Sequence, residues 1–558
     1  MTSTLPQRIE AACETGAATF VTADSAERVP WSRLHEDARA TAVSLAEQGV
    51  APGDHVALLG TSSRAMVTAV QATWLAGATV VILPLPLRLG SLEDFVVQTR
   101  KRLAAARARV CLVEPALAGV AEQGPDDPPL IPLDQVVPAP GGGAGRRSRR
   151  AERFAPVSID PEAVAIVQFT SGSTADPKGV ILPHARVGAN LDAITQGVSF
   201  APDDVTVSWL PLYHDMGLIG CLTVPMVTGT DLVLASPQDF MAAPSRWMEW
   251  MSAYRGTCTA GPNFAYALAA RALPRMSGLD LSSWRLALNG SEPIDPAVVE
   301  RFCAAGAPHG LDPRAAFCVF GMAEATLAVT FPPLFGGMAT DAVDRLTLEK
   351  EGAAVPADTD AATTRRLPRL GRPVGDLEVR VVDHESPTPR PRPDREVGEL
   401  QIRGSSVTPG YFNNPNATAE AFTPDGWLRT GDLAYLADGD LVVCGRSKDV
   451  IIVGGRNIYP EDVEGAVGEV AGVRAGNVIA FGVGSERGRE GLVVVAETRE
   501  EDADALRRVV AERVRGSVGM PARDVVLVGP GSLPKTSSGK LQRALCRERY
   551  LGAELQPA

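Results

Sequence analysis

Short apolar runs alternate with amphipathic stretches through much of the chain. His55–Leu59 is a compact apolar run, Ser63–Ala76 carries apolar residues at helical spacing, and Thr79–Leu83 is apolar again. That succession predicts strand, helix, strand, a βαβ unit whose right-handed crossover builds parallel sheet. The rhythm returns with predicted strands over Ala163–Phe169, Val205–Leu210, Asp231–Leu234, Arg285–Leu288 and Ala315–Phe320, separated by helical stretches. Glu378 to Ile402 is more β-like and is interrupted by the Pro-rich loop Ser386–Asp394. After Lys448 short strands and helices alternate: Val450–Val453, Pro460–Val467, Val478–Val483, Leu492–Glu497, Ala503–Val514 and Val525–Val528. About 110 residues with this alternation predict a small α+β domain. The expected class is α/β, with a large N-terminal domain over residues 1–446 and a C-terminal domain over 447–558. The Gly-rich basic run Gly141–Arg153, which lacks aromatics, reads as an exposed loop.

Composition removes several function classes. An apolar share of 45% and a charged share of 22% are ordinary for a globular protein. A net charge of −12 with no long basic stripe argues against nucleic acid as a partner. The N-terminus lacks a basic and apolar leader, and no apolar stretch is long enough for an integral membrane segment, which predicts a cytoplasmic protein. Eight cysteines without a C-x-x-C pair, mostly in apolar runs, read as buried free thiols.

The chemistry concentrates in polar loops that follow predicted strands. Phe169-Thr170-Ser171-Gly172-Ser173-Thr174-Ala175-Asp176-Pro177-Lys178-Gly179-Val180 lies between two apolar runs. Glycine lets backbone N–H groups approach a ligand, and small hydroxyls add donors in little space, a combination suited to a polyphosphate. The Walker spacing is absent, so a P-loop ATPase does not fit. The chain has six lysines against forty-eight arginines, and Lys178, Lys448, Lys535 and Lys540 all fall in Gly/Ser-rich or Gly-Arg contexts. A compact ammonium is a point charge for a phosphate or carboxylate, which a planar guanidinium is not. Lys540, in Pro534-Lys535-Thr536-Ser537-Ser538-Gly539-Lys540, is the strongest candidate.

Other segments speak less clearly one by one. Asn289-Gly290-Ser291-Glu292-Pro293 follows a predicted strand and can lay backbone flat against a purine. Phe320-Gly321-Met322-Ala323-Glu324-Ala325-Thr326 offers an aromatic face and a carboxylate for Mg²⁺, which takes one or two carboxylates plus substrate phosphates. Taken alone, Phe320 as core and Glu324 as a solvated helix start is the better reading. Asp432, at the Gly turn of Trp427-Leu428-Arg429-Thr430-Gly431-Asp432-Leu433, suits a ribose diol but is a weak signal by itself. His214 in Pro211-Leu212-Tyr213-His214-Asp215-Met216-Gly217 has a structural histidine as its default reading.

In this order and spacing the motifs resemble the adenylate-forming superfamily of acyl-CoA synthetases, peptide-synthetase adenylation domains and luciferases. The resemblance covers about Pro6 to Tyr550. It implies a β-barrel-like subdomain beside the sheets of the N-terminal domain, and ATP and Mg²⁺ as cofactors. It further implies that Thr170–Lys178 is the phosphate loop, with Gly290, Ser291 and Glu292 opposite Phe320, Gly321, Met322 and Ala323 around the adenine. Glu324 and Thr174 would hold Mg²⁺, Asp432 the ribose with Arg446 beside it, Lys448 the hinge, and Lys540 the carboxylate and α-phosphate. His214 joins Lys540 as a catalytic candidate, and Met216 and Phe264 would line the acyl pocket. Phe320 departs from the Tyr of many relatives, which removes a phenol hydrogen bond, and Ala323 departs from a common Thr. Pro211–Gly220, Gly261–Tyr266, Gly321–Leu327 and Gly455–Asp462 look like signatures of the fatty acyl-AMP ligase subgroup. The segment from about Gly336 to Arg369 resembles that subgroup's insertion. This implies activation of a small-molecule carboxylic acid, a fatty acid, with ATP to acyl-AMP and pyrophosphate, and a separate holo acyl carrier protein as acceptor in lipid, polyketide or lipopeptide biosynthesis. An acyl-CoA ligase is the nearest alternative, and a catalytically dead nucleotide-binding regulator is the alternative from another class.

Overall fold

The computed structural model describes residues 3–85, 92–118, 124, 126–139, 144–170, 178–359, 361, 363–383, 389–484, 490–500, 502–536 and 539–555. Two sheets organise the large N-terminal domain. The first runs, in spatial order, Ala316–Cys318, Leu286–Asn289, Cys258–Gly261, Val205–Ser208, Asp231–Leu234, Ala17–Val21 and Ala26–Pro30. All its pairings are parallel except the last. The second runs Leu130–Pro132, Val110–Val113, His55–Leu59, Thr79–Ile82, Val164–Phe169 and Gly179–Pro183, again parallel except for its last pair. Parallel strands are covered on both faces, so they read as continuous apolar runs. That is why apolar runs located His55–Leu59, Thr79–Ile82, Val164–Phe169, Val205–Ser208, Asp231–Leu234 and Leu286–Asn289 within a residue or two, whereas Cys258–Gly261, Val110–Val113, Leu130–Pro132 and Gly179–Pro183 fall outside the predicted strands.

The predicted βαβ unit is present as His55–Leu59, helix Arg64–Leu75 and Thr79–Ile82. Ser63 caps the helix by accepting from Met66 N, and every residue from Met66 to Leu75 is buried. The stretch expected to be amphipathic is thus enclosed on all sides, Thr68, Gln71 and Thr73 included, and Trp74 Nε1 ties it to Ala165 O of the neighbouring strand at 3.0 Å.

Three expectations change. The run at Gly141–Arg153 contains a helix, Ala144–Glu152, rather than only a loop. Acidic residues on helix Trp31–Glu47 explain it: Ser148 Oγ donates to Glu36 at 2.8 Å, and Arg150 and Arg153 both pair with Glu47. The expected strand Ala315–Phe320 is two short strands, Ala316–Cys318 and Phe320–Gly321, which belong to different sheets. A hairpin, Ala17–Val21 with Ala26–Pro30, and the helix Trp31–Glu47 precede the first element the pattern predicted.

The β-rich region is a four-stranded antiparallel sheet of Glu378–Val382, Gly398–Arg403, Leu428–Ala437 and Asp440–Arg446. Phe320–Gly321, Ala328–Phe331 and Arg372–Pro373 form a smaller one beside it. Between them, Thr340–Asp344 pairs antiparallel with Thr364–Pro368, and the helix Arg345–Glu351 follows the first strand directly. In the C-terminal α+β domain, Val473–Gly484, Glu490–Thr498 and Asp524–Val528 form a sheet flanked by Pro460–Gly468, Ala503–Val518 and Arg543–Leu551. It buries its own cluster, including Val463, Val494, Val510, Val514 and Leu527. All eight cysteines are free and seven are buried. Among the described residues no helix is long and apolar enough to cross a membrane.

Candidate active site

Four neighbouring parallel strands of the first sheet discharge their carboxyl ends at one place. Val205–Ser208 leads to His214 and Met216, and Cys258–Gly261 to Phe264. Leu286–Asn289 leads to Gly290, Ser291 and Glu292, and Ala316–Cys318 to Phe320, Gly321, Met322, Ala323 and Glu324. The outer carboxyl ends of strands in an open α/β sheet are where ligands bind, because loops there are free to vary over a rigid base.

A cleft opens there, lined by Trp209, His214, Met216, Phe264, Ser291 and Lys540, among others. Lys540 comes from the turn just before helix Arg543–Leu551, far along the chain from the other lining residues. His214 Nδ1 lies 2.6 Å from Asp215 Oδ1, and its Nε2 lies 3.3 Å from Ser291 Oγ. Burial drives the Asp215 carboxyl pKa upward, but His214 and then Lys540 outweigh it and leave that pKa below the ordinary value. The turn presenting His214 is tight: a Cβ on Gly217 would sit 2.3 Å from Pro211 O, so only glycine fits. Met216–Thr223 continues as a π-helix, a form often found beside functional sites. Ser291 has φ +75° and the buried Thr326 φ +72°. Positive φ is costly for a β-branched residue, and such strain gathers at functional sites.

Burial lowers the Lys540 pKa from the ordinary lysine value, while Asp215 and Glu292 pull it back up. Its loop is closed by Thr536 N donating to Lys540 O at 2.8 Å and by Lys540 N donating to Thr536 Oγ1 at 3.1 Å. The exposed Lys535 donates to Asn477 Oδ1 at 2.8 Å, and its charge also reaches Glu292. Glu292 accepts from Phe264 N at 2.7 Å, which ties two of the strand ends together.

A second group of residues lies along the β-rich region. Asp432 is 5% exposed and stands opposite Arg446 in the strand register, with Arg446 Nε 3.3 Å from Oδ1. Burial raises the Asp432 pKa and Arg446 opposes it. Lys448 lies two residues beyond Arg446 and is exposed. At the phosphate-loop candidate, Thr170 N donates to Lys178 O at 3.0 Å and closes the loop's base. Ser171, Gly172, Ser173 and Thr174 lie outside the described residues. Glu324 offers one carboxylate, which fits a Mg²⁺ held mainly by substrate phosphates and water.

Sequence reasoning left three neighbours unassigned. Asp215 braces His214, Trp209 walls the pocket, and Tyr411 donates to Glu324 Oε1 at 2.9 Å. Asp215 was inside a quoted motif, and Pro409-Gly410-Tyr411 carried only a turn signal.

Residues 9–412 match the AMP-binding enzyme family. A protein of Mycobacterium tuberculosis (strain ATCC 25618 / H37Rv), provisionally named ligase Rv1013, is 39% identical over 93% of this chain and 94% of its own. The long-chain-fatty-acid–AMP ligase FadD26 of Mycobacterium bovis is 34% identical over 94% of this chain and 92% of its own. A solved structure from studies of fatty acyl-adenylate ligases of E. coli and L. pneumophila superposes with a TM-score of 0.90. It is 30% identical and covers 99% of this chain and 98% of the other. The chain belongs to the AMP-binding enzyme family, the adenylate-forming superfamily, in its fatty acyl-AMP ligase subgroup.

Proposed function

We propose that this enzyme activates a carboxylic acid, preferably a fatty acid, with ATP to acyl-AMP and pyrophosphate. It then passes the acyl group to the phosphopantetheine thiol of a separate holo acyl carrier protein, a thioester forming as the acyl–phosphate bond breaks and AMP leaves. The observation that carries the reading is Lys540 of the C-terminal domain lining one cavity with His214, Ser291 and Phe264.

The acid lies in the cavity between Met216 and Phe264, and its carboxylate attacks the α-phosphorus of ATP. A phosphorus–oxygen bond to the acid forms as the bond to pyrophosphate breaks, so no protein nucleophile is required. The Lys540 ammonium stabilises charge on the carboxylate and α-phosphate, and one such positioned group is worth about 10²–10³ in rate. His214, braced by Asp215 and Ser291, keeps the carboxylate end polar within an apolar pocket. Thr170–Lys178 takes the phosphates, Asp432 the ribose, and the turns at Gly290–Glu292 and Phe320–Ala323 flank the adenine. Glu324, with Thr174, would hold Mg²⁺, which supplies neutralising charge to the phosphates when bound.

For the second half-reaction the domain over 447–558 turns about Lys448 against residues 1–446. This withdraws Lys540 and opens a path for the thiol. Two contacts support control of that turn by the Gly336–Arg369 segment. Arg365 Nε donates to Asp462 Oδ1 at 2.8 Å with its guanidinium 4.2 Å over the Tyr459 ring, and Arg456 pairs with the buried Glu349. Pyrophosphate release scored over a panel of carboxylic acids tests the activation step. Release with fatty acids is expected, and no release with any acid overturns the reading.

A further inference from the structure

Tyr411 lies in none of the motifs assigned to the nucleotide, yet it touches two of them. Its phenol donates to Glu324 Oε1 at 2.9 Å, and its ring lies 5.0 Å from the Lys178 ammonium.

The backbone around Tyr411 is laced to the same two places. Phe412 N donates to Gly179 O at 2.7 Å and Ile181 N donates to Gly410 O at 3.1 Å, which joins this segment to the strand leaving the Thr170–Lys178 loop. Thr408 N donates to Glu324 O at 2.7 Å, which joins it to the Glu324 turn. Tyr411 N is itself held by Thr418 Oγ1 at 2.9 Å. Gly410 makes the approach possible. It has φ +150°, and a Cβ there would fall 2.5 Å from the Thr418 methyl.

A carboxylate on a turn has several rotamers open to it. A phenol bonded to one oxygen fixes the plane of the group and leaves the other oxygen for a cation or its waters. Hydrogen-bond partners of metal-binding side chains commonly change metal affinity by about 10–100-fold. We infer that Tyr411 is a positioning residue of the nucleotide site, orienting Glu324 toward a divalent cation on the ATP phosphates and holding Lys178 beside the loop. The inference rests on the nucleotide-binding reading given above.

Tyr411→Phe keeps the ring over Lys178 and removes only the hydroxyl. Calorimetric ATP binding across a Mg²⁺ series, with no acid present and hence no turnover, reads the effect directly. The Mg²⁺ concentration giving half of the gain in ATP affinity should rise about tenfold in Tyr411→Phe. ATP affinity in EDTA and the thermal midpoint should stay at wild-type values. In a Glu324→Gln background the same substitution should change nothing further. Wild-type Mg²⁺ dependence in Tyr411→Phe, or a loss that multiplies onto that of Glu324→Gln, overturns the inference. Wild-type protein that binds no ATP with or without Mg²⁺ overturns the nucleotide reading as well, which separates the two failures.

Discussion

Lys540 and Lys535 sit on the same Gly/Ser-rich loop but are turned to different partners, one to the joint cavity and one to Asn477. Lys540→Ala should lower acyl-AMP formation by about 10²–10³ or more with the fold intact. Lys535→Ala should remain within about twofold of wild type, since Lys535 does not line the cavity and its hydrogen bond to Asn477 is exposed. Pyrophosphate release from both variants checks this, and equal losses would remove the distinction. The titration of Lys540 adds a pH signature. Its pKa is lowered by burial, so the ammonium is lost at a lower pH than an ordinary lysine's. Adenylation should therefore fall on the alkaline side with a midpoint below about 10.4. The residual activity of Lys540→Ala should lack that limb, and a wild-type rate flat through this range would argue against the role. Lys540 was legible because lysine is rare here and its loop is polar. Asp215 and Tyr411 were not, because what they do depends on a histidine and a carboxylate brought to them through space.

Elements position these residues by where strands stop. The carboxyl ends of Val205–Ser208, Cys258–Gly261, Leu286–Asn289 and Ala316–Cys318 lie side by side, so four loops distant in sequence share one floor. The apolar runs announced three of these strands and missed Cys258–Gly261, and the β-sheet order was hidden because pairing partners leave no mark on a buried run. Ala144–Glu152 was hidden for a different reason, since its helical state rests on Glu36 and Glu47 of another helix. The Pro211–Gly217 turn is the least forgiving element at the site. Gly217→Ala puts a methyl 2.3 Å from Pro211 O, and the chain must shift to admit it. Overpacking of this kind costs about 1–3 kcal/mol. A lower thermal midpoint together with a raised KM for the acid is expected, and a variant unchanged in both would show that the turn is not held by this contact.

At the scale of the whole molecule, the proposed function has Lys540 in the cavity for adenylation and withdrawn for thiol transfer, so on that proposal the balance between two domain arrangements sets the outcome. Arg365 is buried against Asp462 and Tyr459, and breaking one side of a buried ion pair costs about 3–5 kcal/mol because the partner charge stays behind. A bias of about 2–3 kcal/mol already changes a population near a hundredfold. Arg365→Ala, like shortening of Gly336–Arg369, should raise thioester formation with free CoA without raising acyl-AMP formation. Unchanged CoA use in both would detach the segment from acceptor choice. On the proposed function a carrier protein, docking over a surface, can supply the energy of the turn, whereas free CoA makes fewer contacts. The most direct measurement gives the intact enzyme a fatty acid, ATP and Mg²⁺, with either CoA or a phosphopantetheinylated carrier protein, and resolves the products by mass spectrometry. Acyl-AMP in both reactions and acylated carrier far in excess of acyl-CoA is the predicted result. Efficient acyl-CoA synthesis beside an unloaded carrier would contradict it.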